Sequence, residues 1–117
     1  MKPQGKAMTT YSWTYTTWPD AAAADTAARI LVNEELCACA NILPGMTSIY
    51  RWQGKVETAS ECVMVLKTTG ARAVGLARRI AQLHPYDEPC ILALPVDADA
   101  SAPDFLAWIA AQTQHQA

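Results

Sequence analysis

Four side chains in the second half of the chain are of types that do chemistry: Glu61, Lys67, His84 and Tyr86. A lysine can hold an anion, a carboxylate can ligate a divalent cation, and a histidine ring can bind a metal or shuttle protons. Glu61 precedes Lys67 by six residues, so on an extended strand the two share a face, while His84 and Tyr86 flank Pro85. A plainer reading stands beside this one, because buried charges are normally paired whatever their use. In it, Glu61 and Lys67 form a structural ion pair, His84 ends a helix and Tyr86 packs.

Sulfur offers a second possibility. The chain has four cysteines, Cys37, Cys39, Cys62 and Cys90. On a strand, Cys37 and Cys39 would present two thiols on one face, which could chelate a soft metal. Buried packing is favoured, since free cysteine is among the most buried residue types and the spacing is not that of a zinc finger. Reduced thiols fit a cytoplasmic protein. Tyr50 and Trp52 lie near a turn, where aromatic residues would either anchor a subunit interface or stack on a ligand; the anchor is favoured.

The elements that must position these groups centre on a long hairpin. Its arms, Cys37–Trp52 and Val56–Thr69, are rich in β-branched and aromatic residues and join at Gln53-Gly54-Lys55. Either arm would extend roughly 45–50 Å at about 3.3 Å per residue, so the hairpin must bend or overhang its domain. Pro44-Gly45 is the expected bend. Cys62–Leu66 is apolar at every position, as is Ile91–Leu94, which predicts strands buried on both faces. Three short helices hardly cover two faces of a sheet, so the uncovered face is expected to meet a partner subunit.

Around the hairpin, Tyr11, Trp13 and Tyr15 alternate with Ser12, Thr14 and Thr16, giving a strand with an aromatic and a hydroxyl face. Trp18-Pro19-Asp20 stops it. A helix over about 19–35 follows, with Thr17 as a candidate cap and Ala24, Ala27, Ala28 and Leu31 facing inward. Gly70 opens a second helix that ends before Pro85, with Leu76, Ile80 and Leu83 inward and Arg72, Arg78, Arg79 and Gln82 mostly outward. A strand at Cys90–Val96, a loop at 97–100, and a helix capped by Ser101 with Asp104 in the box complete the chain. Residues 1–8 read as a loose tail and 9–117 as one domain. Strand, helix, strand, strand, helix, strand and a terminal helix is the ferredoxin-like split βαβ order of an α+β domain.

Composition narrows the function. A net charge of −2 gives no basic footprint for nucleic acid or a membrane surface, and no apolar run approaches a membrane span of about 20 residues. The alternating Tyr11, Trp13 and Tyr15 could stack RNA bases, but the acidic balance speaks against it. There is no phosphate-cradling loop, dinucleotide fingerprint or Ser-His-Asp arrangement, so an enzyme is not expected. Nothing at the N-terminal end suggests a secretion signal.

The hairpin and its sequel resemble the CutA family, the divalent-cation tolerance proteins. The residues that carry the likeness are Glu35-Leu36-Cys37-Ala38-Cys39-Ala40-Asn41-Ile42, Pro44-Gly45-Met46-Thr47-Ser48-Ile49-Tyr50 and Trp52-Gln53-Gly54-Lys55. Glu61, Lys67-Thr68-Thr69, His84-Pro85-Tyr86, Leu94-Pro95-Val96 and Asp104–Ile109 extend it across roughly Pro19 to Ile109. The resemblance implies an interlocked homotrimer of ferredoxin-like subunits, architecturally related to PII signalling proteins and linked to copper and other divalent metals. It also implies that Glu61, Lys67, His84 and Tyr86 converge in a cleft near a subunit boundary, beside the trimer interface in which Tyr50 and Trp52 are expected as aromatic anchors. Among positions associated with copper in some relatives, only Cys39 is kept: Thr16, Arg79 and Leu83 stand where Cys or His occurs there. Weak copper or zinc binding involving His84, with a lesser part for Cys39, is the resulting expectation. A small anionic ligand is the other candidate for the cleft, and a signalling or scaffold module that contacts a protein partner is the alternative.

Overall fold

In the computed structural model, residues 8–114 are described; the expected tail, residues 1–8, lies outside them apart from the exposed Met8. The elements are β1 (Tyr11–Trp18), α1 (Ala21–Asn33), β2 (Cys39–Trp52), β3 (Lys55–Thr69), α2 (Gly70–Leu83), β4 (Ile91–Val96) and α3 (Pro103–Gln112). The four strands form one antiparallel sheet in the order β2-β3-β1-β4, as the split βαβ reading requires.

Local chemistry explains most boundaries. α1 starts two residues later than expected because Asp20, not Thr17, is its cap. Asp20 is extended at φ −158° and its carboxylate accepts from the Ala23 N–H at 2.8 Å, which also suits the positive helix end. Ser101 does not cap α3 either. Its hydroxyl donates to the Asp97 carbonyl at 2.6 Å and closes a 3-10 turn, Ala98–Ala100, where a plain loop was expected; α3 begins on Pro103. The hairpin turn is tighter than read: Trp52 pairs with Lys55, leaving Gln53 (φ 49°) and Gly54 (φ 79°) as a two-residue loop with both φ positive. The bend at Pro44-Gly45 is a bulge between Leu43 and Met46, with Gly45 at φ 80°.

Alternation along β1 assigns the faces. Ser12, Thr14, Thr16 and Trp18 are buried under α1 and α2, whereas Trp13 remains 40% exposed on the other side. The hydroxyl face is therefore the inner one. Its core-mates are Ala24, Ala27, Leu31, Cys62, Met64, Leu66, Leu76 and Ile80. Small alanines let α1 lie close to the sheet. Thr16 spends its hydroxyl on the Met64 carbonyl (3.0 Å) and accepts from the Trp18 indole (2.7 Å), so these polar groups are buried without loss. α3 covers one end of the opposite face, where Leu106 and Ile109 pack with Ala38, Tyr11 and Val96.

The rest of that opposite face is open. Trp13 lies beside Leu94, and Tyr15 beside Leu92, in register; Leu92 is 59% and Leu94 43% exposed. The expected double burial of Ile91–Leu94 is thus not met within one protomer, because β4 is an edge strand with a bare face. Cys62–Leu66 comes closer, with Cys62, Met64, Val65 and Leu66 buried. β1 reaches only to Cys62, so residues 55–61 of β3 pair with β2 alone and the hairpin runs on as a two-stranded ribbon. The protomer measures 56 × 27 × 23 Å with a radius of gyration of 16.0 Å, against about 13–14 Å for a compact chain of this length. Tyr50, Trp52, Ile49 and Val56 are exposed along that ribbon.

Candidate functional site

The site forms where β1 stops, α2 ends and β3 leaves the sheet. Pro85 holds the preceding residue out of helical geometry, so His84 terminates α2 with ψ 139°. Its N–H still reaches the Ile80 carbonyl at 2.9 Å, while its ring turns inward over Trp18, 4.2 Å between centroids. The ring is buried and both nitrogens are used: Nε2 sits 2.7 Å from the Thr17 carbonyl, and Nδ1 accepts the Tyr86 N–H at 3.1 Å. The Tyr86 ring packs at 4.9 Å from His84, and its hydroxyl donates to Glu61 Oε2 at 3.2 Å. Partial burial first, then the charges of Glu61, Tyr50 and Asp20, hold the Tyr86 phenol above its ordinary pKa. It therefore acts as a hydrogen-bond donor, not a phenolate.

Three of the four expected cleft residues come together in this way. The fourth does not join them within a protomer. Lys67 lies six positions further along β3, about 20 Å at strand spacing, and its Nζ sits 5.4 Å from the centre of the Phe105 ring. Phe105 in turn packs on Trp108, 5.5 Å between centroids. The Glu61–Lys67 ion pair of the plainer reading is accordingly absent. α2 instead binds α1 through Arg79, whose guanidinium makes two 2.9 Å hydrogen bonds to the Glu34 carboxylate.

The sulfur expectation also needs revision. β2 begins at Cys39, so strand alternation does not carry back to Cys37 and the two thiols are not presented as a pair on one strand. Cys37 is buried in the main core, and burial, helped by neighbouring Cys39, pushes its thiol up to about 12. A metal ligand must be a thiolate, so burial makes Cys37 a poor one. Cys39 is half-buried opposite Lys67. Among the described residues no three His, Cys, Asp or Glu side chains gather in a group that could hold a metal ion. His84 would have to give up a hydrogen bond before it could ligate one. The copper or zinc expectation thus finds no complete donor set among the described residues of one chain. Thr17 and Trp18, which support the His84 ring, were missed as site residues: the Trp18-Pro19-Asp20 signal says only that a strand ends.

A profile of the family described as CutA1 divalent ion tolerance protein matches residues 12–112 of this chain. The chain belongs to that family. Among CutA sequences, the divalent-cation tolerance protein CutA of Thermus thermophilus is 44% identical over 97 residues, covering 83% of this chain and 92% of the relative. The crystal structure of CutA from Xylella fastidiosa superposes with a TM-score of 0.84 at 37% identity, over 88% of this chain and 97% of that one. The protein titled periplasmic divalent cation tolerance protein CutA from Archaeoglobus fulgidus gives 0.83 at 32% identity, over 88% and 98%. The CutA fold is therefore shared along nearly the whole length of these structures. No helix among the described residues is long and apolar enough to cross a membrane.

Proposed function

We propose that this CutA-family chain works as a cytoplasmic homotrimer, a binding protein and not an enzyme. In this reading a divalent cation, copper foremost, or a small anionic ligand is held in clefts between subunits. The observation that carries it is the pairing of family membership with an apolar face and a ribbon left uncovered in one protomer, including Trp13, Trp52, Leu92 and Leu94. Exposed apolar patches of that kind mark association surfaces. Glu61 offers a carboxylate beside the ribbon, held by the Tyr86 hydroxyl 3.2 Å away. One carboxylate is too few for a closed cation site, so in this reading an adjoining copy supplies further donors, with Cys39 as the soft one, while Lys67 serves an anionic ligand instead. Free cysteines fit a reducing compartment.

Light scattering at micromolar concentration should return three times the mass of the chain, and a stable monomer would end this reading. Calorimetry with a panel of divalent metals should give weak binding that Glu61→Gln reduces several-fold. A second reading, a PII-like signalling or scaffold trimer that contacts a protein partner, is favoured by the commitment of both His84 nitrogens to hydrogen bonds. A trimer that binds no metal of the panel would select it.

A further inference from the structure

We infer that His84 is a positioning residue: held as the neutral, Nε2-protonated tautomer, it sets Tyr86 so that its hydroxyl meets Glu61. The tautomer is fixed twice over by geometry. A backbone carbonyl only accepts, so the ring nitrogen 2.7 Å from Thr17 O must carry the proton. A backbone N–H only donates, so Nδ1, 3.1 Å from the Tyr86 nitrogen, must be bare. The ring therefore ties the end of β1 to the backbone of the residue whose side chain reaches Glu61, and Trp18 packs against it, tilted by 33°. Pro85, between the two, removes the donor that could compete for Nδ1. His84 thus serves the cleft through Tyr86 and need not touch the ligand. This rests on the cleft reading only for what the Glu61–Tyr86 pair is used for.

The test uses the intact protein with 15N-labelled histidine and 13C-labelled tyrosine, and zinc chloride as the probe. The His84 ring should show one protonated nitrogen, Nε2, and a bare Nδ1, and zinc at concentrations that occupy the protein should leave both signals in place. The opposite tautomer, or a zinc-induced shift of a ring nitrogen, would overturn the inference. Coupling is read separately. Glu61→Ala should shift the Tyr86 phenol carbon in the wild type and in His84→Asn, because Asn can accept the N–H two residues on, as in an Asx-turn. In His84→Phe, which keeps a ring but no acceptor, that shift should be lost. A merely structural histidine would leave it unchanged in all three backgrounds, and that result would sink the proposal. If calorimetry finds no zinc binding while tautomer and coupling stand, the cleft reading fails and the positioning role does not.

Discussion

Cys37 shows how one atom links packing to solution behaviour. In the fold its thiol keeps its proton to about 12, whereas an unburied thiol releases it near 9.0. The folded pKa is raised, so this group's contribution is complete below pH 9 and is lost as the pH climbs towards 12. Tyr86, also raised from 10.0, adds in the same direction. Unfolding free energies from denaturant titrations at about pH 8 and about pH 10.5 should differ, falling above pH 9 with a slope of up to about 1.4 kcal/mol per pH unit for Cys37 alone. Cys37→Ala should lose that share of the slope while keeping a small apolar side chain in the core. Among candidate site residues, Glu61, His84 and Tyr86 were legible by residue type, and their convergence only through the family resemblance. Their hydrogen bonds were not, since Thr17 contributes through its carbonyl and any residue type has one. Lys67 does not join them within one chain, because sharing a strand face says nothing about the distance along it.

At the level of elements, the reading was good where periodicity or turn chemistry is strong. Ala24, Ala27, Ala28 and Leu31 are the buried stripe of α1, and the long hairpin forms with its bulge at Pro44-Gly45. It failed at caps, where Thr17, Asp20 and Ser101 all have suitable oxygens and only the path of the backbone chooses between them. It also failed to say which face of β1 turns inward: aromatics would ordinarily be buried and threonines wet, and only the placement of the helices reverses that. The hairpin turn carries a defect that can be repaired. Gln53 sits at φ 49°, a left-handed conformation that costs most side chains about 1–2 kcal/mol and Asn or Gly much less. Gln53→Asn should raise the thermal midpoint, equivalent to about 0.5–1 kcal/mol, and Gly54→Ala, at φ 79°, should lower it by more, about 1–2 kcal/mol. Differential scanning calorimetry of the two variants checks both signs.

For the whole molecule, the exposed ribbon aromatics are the sharpest test of assembly. If the proposed trimer forms, Trp52→Ala should speed subunit exchange, followed by mixing differently tagged protein, while circular dichroism of the fold stays the same; unchanged exchange would remove Trp52 from the proposed interface. The sheet order has a consequence for synthesis. β1 is made first yet lies in the centre, between β3 and β4. Its partners are residues 62–69 and 91–96, so the growing chain must carry an aromatic strand unpaired while most of its length is translated. The β2–β3 ribbon needs only neighbours in sequence and closes on the timescale of a hairpin, microseconds. A ribosome-bound chain therefore holds a finished ribbon and a waiting strand. β1 can settle fully only when Val96 has cleared the exit tunnel, so the first of the four strands waits on the last.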